Sequence, residues 1–365
     1  MHLFDKTFTY QDPLNIAFLC GNKYTQSDIR EKRNILRSFL ETNIPGCRAV
    51  ILEDNFVFGK SNMQYLSYDS AFLNNLAQVE QLASLYANSI FIIHETISTA
   101  AELGMFAINP ALASKVCVLT PDDIAIDERK ITGFIYGAFI GKKASSNQIG
   151  AHVIFYPDIE VKRRSAEKSD YYTYFHNNQI GSHLGSQIIS FATPTSQFKR
   201  ITFSKSSYGK SSTAPERINY EIDSVQQKVL ISIHPDALKI QLLSMFFVAE
   251  LRTEYRKAKK ISEHVTYIVN QYEKILLNTV SEIEGIDLNG FSLECRLKES
   301  VCKLRSAVGY YLYMLQAARL IALEQQNEKD ERRKIRITTE LDHIATVFPE
   351  YIKAKQETAF GRLFK

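Results

Sequence analysis

Short apolar runs alternate with longer amphipathic stretches along residues 14–145. Four of the runs, NIAFLCG, RAVILED, SIFIIHE and SKVCVLTP, are predicted as buried strands. Between them, SDIREKRNILRSFLETN and AFLNNLAQVEQLASLYAN repeat apolar residues at helical spacing, with Ser27 or Asp28 as the predicted N-cap of the first helix. TAAELGMFAIN begins a third helix. Strand–helix alternation of this kind predicts a doubly wound parallel sheet with helices on both faces.

The pattern changes after residue 150. AHVIFYP, SQIISFATP, FKRITFS and KVLISIHP are predicted as strands, separated by polar, loop-like stretches. From Pro235 onward, long periodic stretches predict helices that are interrupted at GIDLNGF. The sequence therefore predicts three segments: an α/β catalytic domain over 1–148, a mixed β segment with flexible loops over 149–235, and a helical domain over 236–365 for partner binding or oligomerisation.

Composition narrows the class of protein. The hydrophobic fraction of 45% and the charged fraction of 23% are ordinary for a globular chain of 365 residues, and no apolar run is long enough to span a membrane. The first residues, MHLFDKTFTYQDP, do not have the pattern of a secretory signal. The five cysteines are scattered and form no CxxC pair, so neither a disulfide framework nor a zinc site is indicated. These observations predict a cytoplasmic protein.

Charge is unevenly divided along the chain. Residues 1–150 carry 13 Lys+Arg against 15 Asp+Glu, a balance of −2, which leaves 31 against 25, or +6, for the remainder. A basic second half is compatible with a nucleic-acid or protein partner. Solvated helix faces are the alternative explanation.

Polar residues follow the predicted strands of the first segment. The carboxyl ends of parallel strands share one edge of the sheet, which is where such sheets bind ligands. Carboxylates gathered at one edge repel each other unless a bound ligand interacts with them. An ionised carboxylate accepts two hydrogen bonds from a sugar diol. The candidate binding residues at this edge are Gly21, Asn22, Glu53, Asp54, His94, Glu95, Ser98 and Thr99.

The segment HETISTAAELG, residues 94–104, places two glutamates on either side of a Ser-Thr pair, directly after an apolar strand. One interpretation is structural: Thr99 and Glu102 have the spacing of a capping box, in which the threonine caps a helix and the glutamate reaches back to its amide. The other is catalytic. Glycosidic bond cleavage builds positive charge in the transition state, and a carboxylate such as Glu102 stabilises that charge, while Glu95 and Ser98 help to hold the substrate.

Other catalytic and nucleotide-binding patterns are missing from the sequence. It contains no GxGxxG fingerprint, no GxxxxGK[ST] phosphate loop and no GxSxG elbow. A single histidine at a strand end, such as His94, is more often structural than catalytic. Glu80 lies on the helix before the third strand, where a solvent-facing position is the alternative to a role in binding.

The order of these motifs resembles the nucleoside 2-deoxyribosyltransferase-like domain, in the version found in bacterial retron-associated effectors. In that group a strand ends in Phe-Leu-Cys-Gly, a second strand ends in an acidic pair and a helix carries Glu. A third strand then leads to Glu, six residues, and Glu-Leu-Gly. The matching residues here are Cys20-Gly21, Glu53-Asp54, Glu80, Glu95 and Glu102-Leu103-Gly104.

The resemblance implies a function. Such domains cleave the N-glycosidic bond of nucleosides, nucleotides or NAD, with the Glu of the Glu-Leu-Gly motif, here Glu102, as nucleophile. The acidic pair and the strand-end polar residues contact the ribose and the base. Retron effectors act as toxins restrained by a reverse transcriptase and its multicopy single-stranded DNA–RNA hybrid. No metal and no cofactor is implied, and the helical segment is a candidate for homo-oligomerisation.

Two alternatives stay open. The α/β domain could sense a nucleotide without turning it over, or the basic second half could bind nucleic acid. The substrate is likewise open between NAD, purine nucleotides and deoxyribonucleotides.

Overall fold

The structure is a computed structural model of the chain. It describes residues 4–10, 12–21, 31–51, 67–68, 71–72, 76–94, 97–122, 152–157, 179–193, 199–206, 214–298, 300–324 and 334–346.

The described elements are fourteen strands and nine helices. The strands are β1 (Thr7–Tyr10), β2 (Asn15–Cys20), β3 (Cys47–Ile51), β4 (Ser67–Tyr68), β5 (Ala71–Phe72), β6 (Ser89–Ile93), β7 (Val116–Asp122), β8 (His152–Pro157), β9 (Lys199–Lys205), β10 (Arg217–Asp223), β11 (Lys228–Ile233), β12 (Ser292–Leu297), β13 (Ile321–Leu323) and β14 (Ile335–Ile337). The helices are α1 (Lys32–Asn43), α2 (Leu76–Tyr86), α3 (Ile97–Ile108), α4 (Pro110–Ala113), α5 (Ser182–Ala192), α6 (Pro235–Met245), α7 (Ala249–Tyr255), α8 (Ile261–Glu284) and α9 (Leu304–Ala317).

The chain divides into two compact units. The first comprises Met1–Pro13, Asn62–Asn74 and Ser196–Lys365, and the second comprises Leu14–Ser61 and Asn75–Thr195. All the predicted site residues belong to the second unit. The division into a catalytic segment, a mixed β segment and a helical segment stays a prediction. Compact units are defined by contacts between residues, and their boundaries need not coincide with those of functional segments.

The second unit is built on a parallel sheet with the strand order β3-β2-β6-β7-β8. Every residue of β2 and of β6 is buried, as expected for strands that are covered on both faces. From β2 the chain moves one way to β3, and then the other way through β6, β7 and β8. The direction of winding therefore reverses between β2 and β6.

Helices cover both faces of this sheet. One face packs against α1 and α5, with Leu36 and Leu40 of α1 and Leu184 and Ile188 of α5 in the shared core. The alternate strand residues are equally buried on the other face, where right-handed connections place α2 and α3. Those residues are Ile16, Phe18, Ile90, Ile92, Val116 and Val118. Helices α2, α3 and α4 contact one another, and α3 also contacts β6.

The first unit is built on a mixed sheet with the order β1-β9-β10-β11-β12. Strand β1 pairs antiparallel with β9, so that Thr7 lies opposite Thr202. Strands β10 and β11 form an antiparallel pair, whereas the pairs β9–β10 and β11–β12 are parallel. Helices α6 to α9 follow in the same unit, and the 24-residue α8 ends at Gly285, whose φ of 67° is the left-handed conformation that glycine adopts readily.

The predicted fold class is confirmed: a parallel sheet comes first, a mixed sheet follows, and helices occupy the C-terminal region. Two segment predictions are wrong. SQIISFATP, predicted as a strand, lies largely within α5, because Leu184, Ile188 and Ala192 form a buried stripe of helical period that begins before this run. The region after Pro235 is less helical than predicted, since it also contains β12, β13 and β14.

The start of α1 also differs from the prediction. Ser27 and Asp28 lie outside the described residues, and the N-cap is Glu31, whose side chain accepts a hydrogen bond from the Arg33 backbone amide. Within the described part of the chain, no helix is both long and apolar enough to cross a membrane.

Candidate active site

At the carboxyl edge of the parallel sheet, the direction of winding reverses between β2 and β6. In open α/β sheets the connections leave in opposite directions at such a switch point, which is the usual ligand site. Gly21 follows β2 on one side of this switch point, and His94 follows β6 on the other. The fold therefore brings two predicted site residues to the position at which sheets of this type bind ligands.

His94 is held by the first turn of α3. Its backbone amide donates to the Leu119 carbonyl at 2.8 Å, which fixes the end of β6 against β7. Its ring nitrogen Nδ1 lies 3.2 Å from Thr99 Oγ1, and the Thr99 side chain is fully buried. Burial of the half-buried imidazole lowers the pKa of His94 below its usual value, so the ring is neutral at pH 7.

Glu102 lies one turn after Thr99 on the same helix. The residue is half-buried, and its Oε2 atom has almost no exposed surface. Residues three apart on a helix are neighbours, so Glu102 lies beside Thr99, which contacts His94. The capping-box interpretation is wrong, because α3 begins at Ile97 and Thr99 is therefore inside the helix, with its hydroxyl bonded to His94.

A buried arginine, which is not among the residues predicted from the sequence, also lies at this edge. The Arg33 side chain is completely buried, and its Nε lies 3.0 Å from Glu31 Oε1. A Cβ atom added to Gly21 would lie 3.0 Å from both Cδ and Nε of Arg33, so a glycine lets this side chain cross the end of β2. The available signal was the spacing of Arg33, Leu36 and Leu40, which places the arginine on the apolar face of α1.

A second cation lies in the first turn of α1. Lys32 Nζ donates to the Tyr156 hydroxyl of β8 at 3.4 Å and lies 5.1 Å from the centre of the Tyr156 ring. Positive charge at this edge offsets the predicted carboxylates and suits a substrate that carries phosphate groups.

The structure describes only some of the remaining predicted site residues. Glu80 is half-buried in the second turn of α2, and Ser98 lies in the first turn of α3. The others lie outside the described residues: Asn22, Glu53, Asp54 and Glu95. The predicted roles of all these side chains in binding stay predictions.

The chain matches the STM3845 retron effector protein family over residues 29–323, about four fifths of its length. The protein belongs to this family. No curated protein matches the chain at a significant level. Membership of the STM3845 retron effector family supports a role as an antiphage effector associated with a retron system. The matched range includes Arg33, His94, Thr99 and Glu102, and it extends through both compact units.

Proposed function

We propose that this retron effector acts as a toxin by cleaving the N-glycosidic bond of a nucleotide, either NAD or a purine nucleotide. Glu102 attacks or shields C1′ of the sugar as the base leaves. The observation that carries the proposal is the grouping of His94, Thr99 and Glu102 at the switch point of the sheet.

The chemistry suits a carboxylate in a sheltered position. As the bond from C1′ to the base nitrogen lengthens, positive charge develops on C1′ and on the ring oxygen of the sugar. A carboxylate that is partly removed from water interacts with this charge more strongly than a solvated one, because the local dielectric constant is lower. Glu102, with one carboxylate oxygen buried, fits that requirement.

Two further features support a nucleotide as the substrate. Carboxylates predicted at the strand ends, such as Asp54, suit the hydroxyl groups of ribose. Lys32, in the first turn of α1, provides positive charge at the same edge for the phosphate groups. Restraint by the retron reverse transcriptase and its multicopy single-stranded DNA–RNA hybrid belongs to the same proposal.

The test compares wild-type protein with Glu102→Gln. Each is incubated with NAD, ATP, dATP and GTP, and free base is followed by chromatography. We expect wild type to release base from at least one of the four, and Glu102→Gln to be slower by about 100-fold or more, because the neutral amide cannot neutralise the charge that forms at C1′.

Glu250→Gln is the matched control, because it removes the same charge from an exposed position on α7 in the other compact unit. It should release base at the wild-type rate. Equal rates in wild type and Glu102→Gln would contradict the assignment of Glu102. Nucleotide binding without base release by any variant would instead favour a sensing adaptor.

A further inference from the structure

The proposed cleavage leaves one requirement unassigned. If Glu102 bonds to C1′, the resulting glycosyl ester must be hydrolysed before the enzyme can turn over again, and the attacking water must lose a proton. A side chain close to Glu102 with a free lone pair at neutral pH would meet this requirement.

His94 has the location for this task. It ends β6 at the switch point and is joined by Nδ1 to Thr99, which is one helical turn from Glu102. The bond to Thr99 is the only side-chain hydrogen bond of His94 in the part of the chain that the structure describes. Nε2 is therefore the ring nitrogen left for a water or a substrate.

The contact with Thr99 fits either tautomer of the ring, because a hydroxyl can donate or accept a hydrogen bond. A base role for Nε2 requires the tautomer in which Thr99 Oγ1 accepts from Nδ1–H of His94. With the proton on Nδ1, the lone pair of a neutral imidazole lies on Nε2. Because the Thr99 side chain is fully buried, water does not compete for this hydrogen bond.

We propose that His94 is the general base for hydrolysis of the sugar–Glu102 ester and that Thr99 is its positioning residue. The inference rests on the proposed function. The water oxygen forms a bond to C1′ as the bond from C1′ to the Glu102 oxygen breaks, and that electron pair returns to the carboxylate. The water proton passes to Nε2, and His94 later releases it to solvent. The protein is thus a hydrolase with its own water-activating group.

The experiment measures the first and later turnovers separately. His94→Asn keeps an amide nitrogen near the position of Nδ1 and removes Nε2. With NAD, ATP, dATP and GTP as probes, we expect this variant to release one base per protein at nearly the wild-type rate. Later turnovers should be slower by about 100-fold or more. Mass spectrometry after acid quenching should show the sugar moiety attached to the variant protein.

Azide provides a readout that a structural role of His94 would not affect. Because azide attacks C1′ without losing a proton, it should restore turnover in His94→Asn and give a glycosyl azide. For the positioning residue, Thr99→Val should slow the later turnovers, and Thr99→Ser, which keeps the hydroxyl, should restore them. Circular dichroism of all variants checks that they are folded. His94→Gln is tested in parallel, so that the result does not depend on one substitution.

The outcomes separate the two proposals. Wild-type turnover that is lost in Glu102→Gln but unchanged in His94→Asn would overturn the role of His94 and leave the proposed function intact. Equal loss of the first and later turnovers in His94→Asn, without rescue by azide, would also overturn it. No base release by the wild-type protein from any of the four probes would overturn the proposed function and this inference with it.

Discussion

At the scale of single residues, the Arg33 side chain, and not an unusual backbone conformation, favours glycine at position 21. The position of its missing Cβ lies 3.0 Å from Cδ and Nε of Arg33, and the arginine is completely buried. A side chain at residue 21 would therefore push against the middle of Arg33, which has no solvent to move into. The close approach also fixes the arginine at the edge of the sheet that carries the candidate site.

Gly21→Ala should destabilise the protein by about 1–3 kcal/mol, because an added methyl group in a filled space forces side chains away from their preferred conformations. Urea unfolding measures the change. In an Arg33→Ala background the same substitution should cost less, by about 1 kcal/mol or more, since the atoms it displaces are gone. Equal costs in both backgrounds would show that Arg33 is not the obstacle.

Part of the candidate site could be predicted from single residues. Gly21 and His94 follow strands with clear apolar runs, so the rule for strand ends placed them at the correct edge. Arg33 was missed because a charged residue in a helix is usually solvated, and only its spacing from Leu36 and Leu40 indicated burial. The bond between Thr99 and His94 could not be predicted, because it depends on α3 beginning two residues before the threonine.

At the scale of elements, a buried histidine joins β14 to α8. The Ile335 backbone amide of β14 donates to His264 Nε2 at 3.2 Å, and the Tyr255 ring of α7 lies 4.4 Å from the imidazole. Burial is the main cause that lowers the pKa of His264 to about 4. Glu263 opposes this shift and Lys334 adds to it. The neutral imidazole therefore helps to hold β14, α7 and α8 together.

Acid should weaken this junction. Between pH 6.5 and 4 the unfolded chain binds a proton at His264 that the folded chain does not, so the free energy of unfolding falls as the pH is lowered. The shift corresponds to about 3 kcal/mol when the pH is below 4. Urea unfolding at a series of pH values should show a smaller decrease for His264→Gln, whose amide oxygen can still accept from Ile335. An identical decrease in both proteins would assign the effect to other groups.

The elements also show where sequence pattern has limits. The apolar strands of the parallel sheet were predicted because a strand covered on both faces is a continuous apolar run. Strands β1, β10 and β12 have mixed composition, and their existence depends on partners that are distant in sequence, so pattern alone did not identify them. The run SQIISFATP in helix α5 resembles a strand because it is rich in apolar residues and begins after Leu184, the first residue of the buried helical stripe.

At the scale of the whole chain, an ion pair connects the beginning of the sequence to its second half. Lys239 of α6 is almost fully buried, and its Nζ lies 2.6 Å from Asp12 Oδ2. Asp12 follows β1, so this contact and the pairing of β1 with β9 both attach the first strand to the first compact unit.

Asp12→Asn should lower the free energy of unfolding by about 3 kcal/mol, because it removes the Asp12 carboxylate that lies against the buried Lys239 ammonium group. The double variant Asp12→Asn/Lys239→Met removes both charges and should recover most of the loss. Thermal unfolding followed by circular dichroism compares the three proteins. If the double variant is as unstable as Asp12→Asn, the loss of stability does not come from the buried charge of Lys239.

The pairing of β1 with β9 has a consequence for synthesis. Thr7 contacts Thr202, which is 195 residues later in the chain. At about 5–20 residues per second, a ribosome needs roughly 10–40 s to make that interval. During this time the parallel sheet of the second unit, built from residues 15–157, leaves the ribosome complete, whereas the first strand still has no partner. We therefore expect the nascent chain to form its candidate catalytic sheet before the sheet that its own first residues complete.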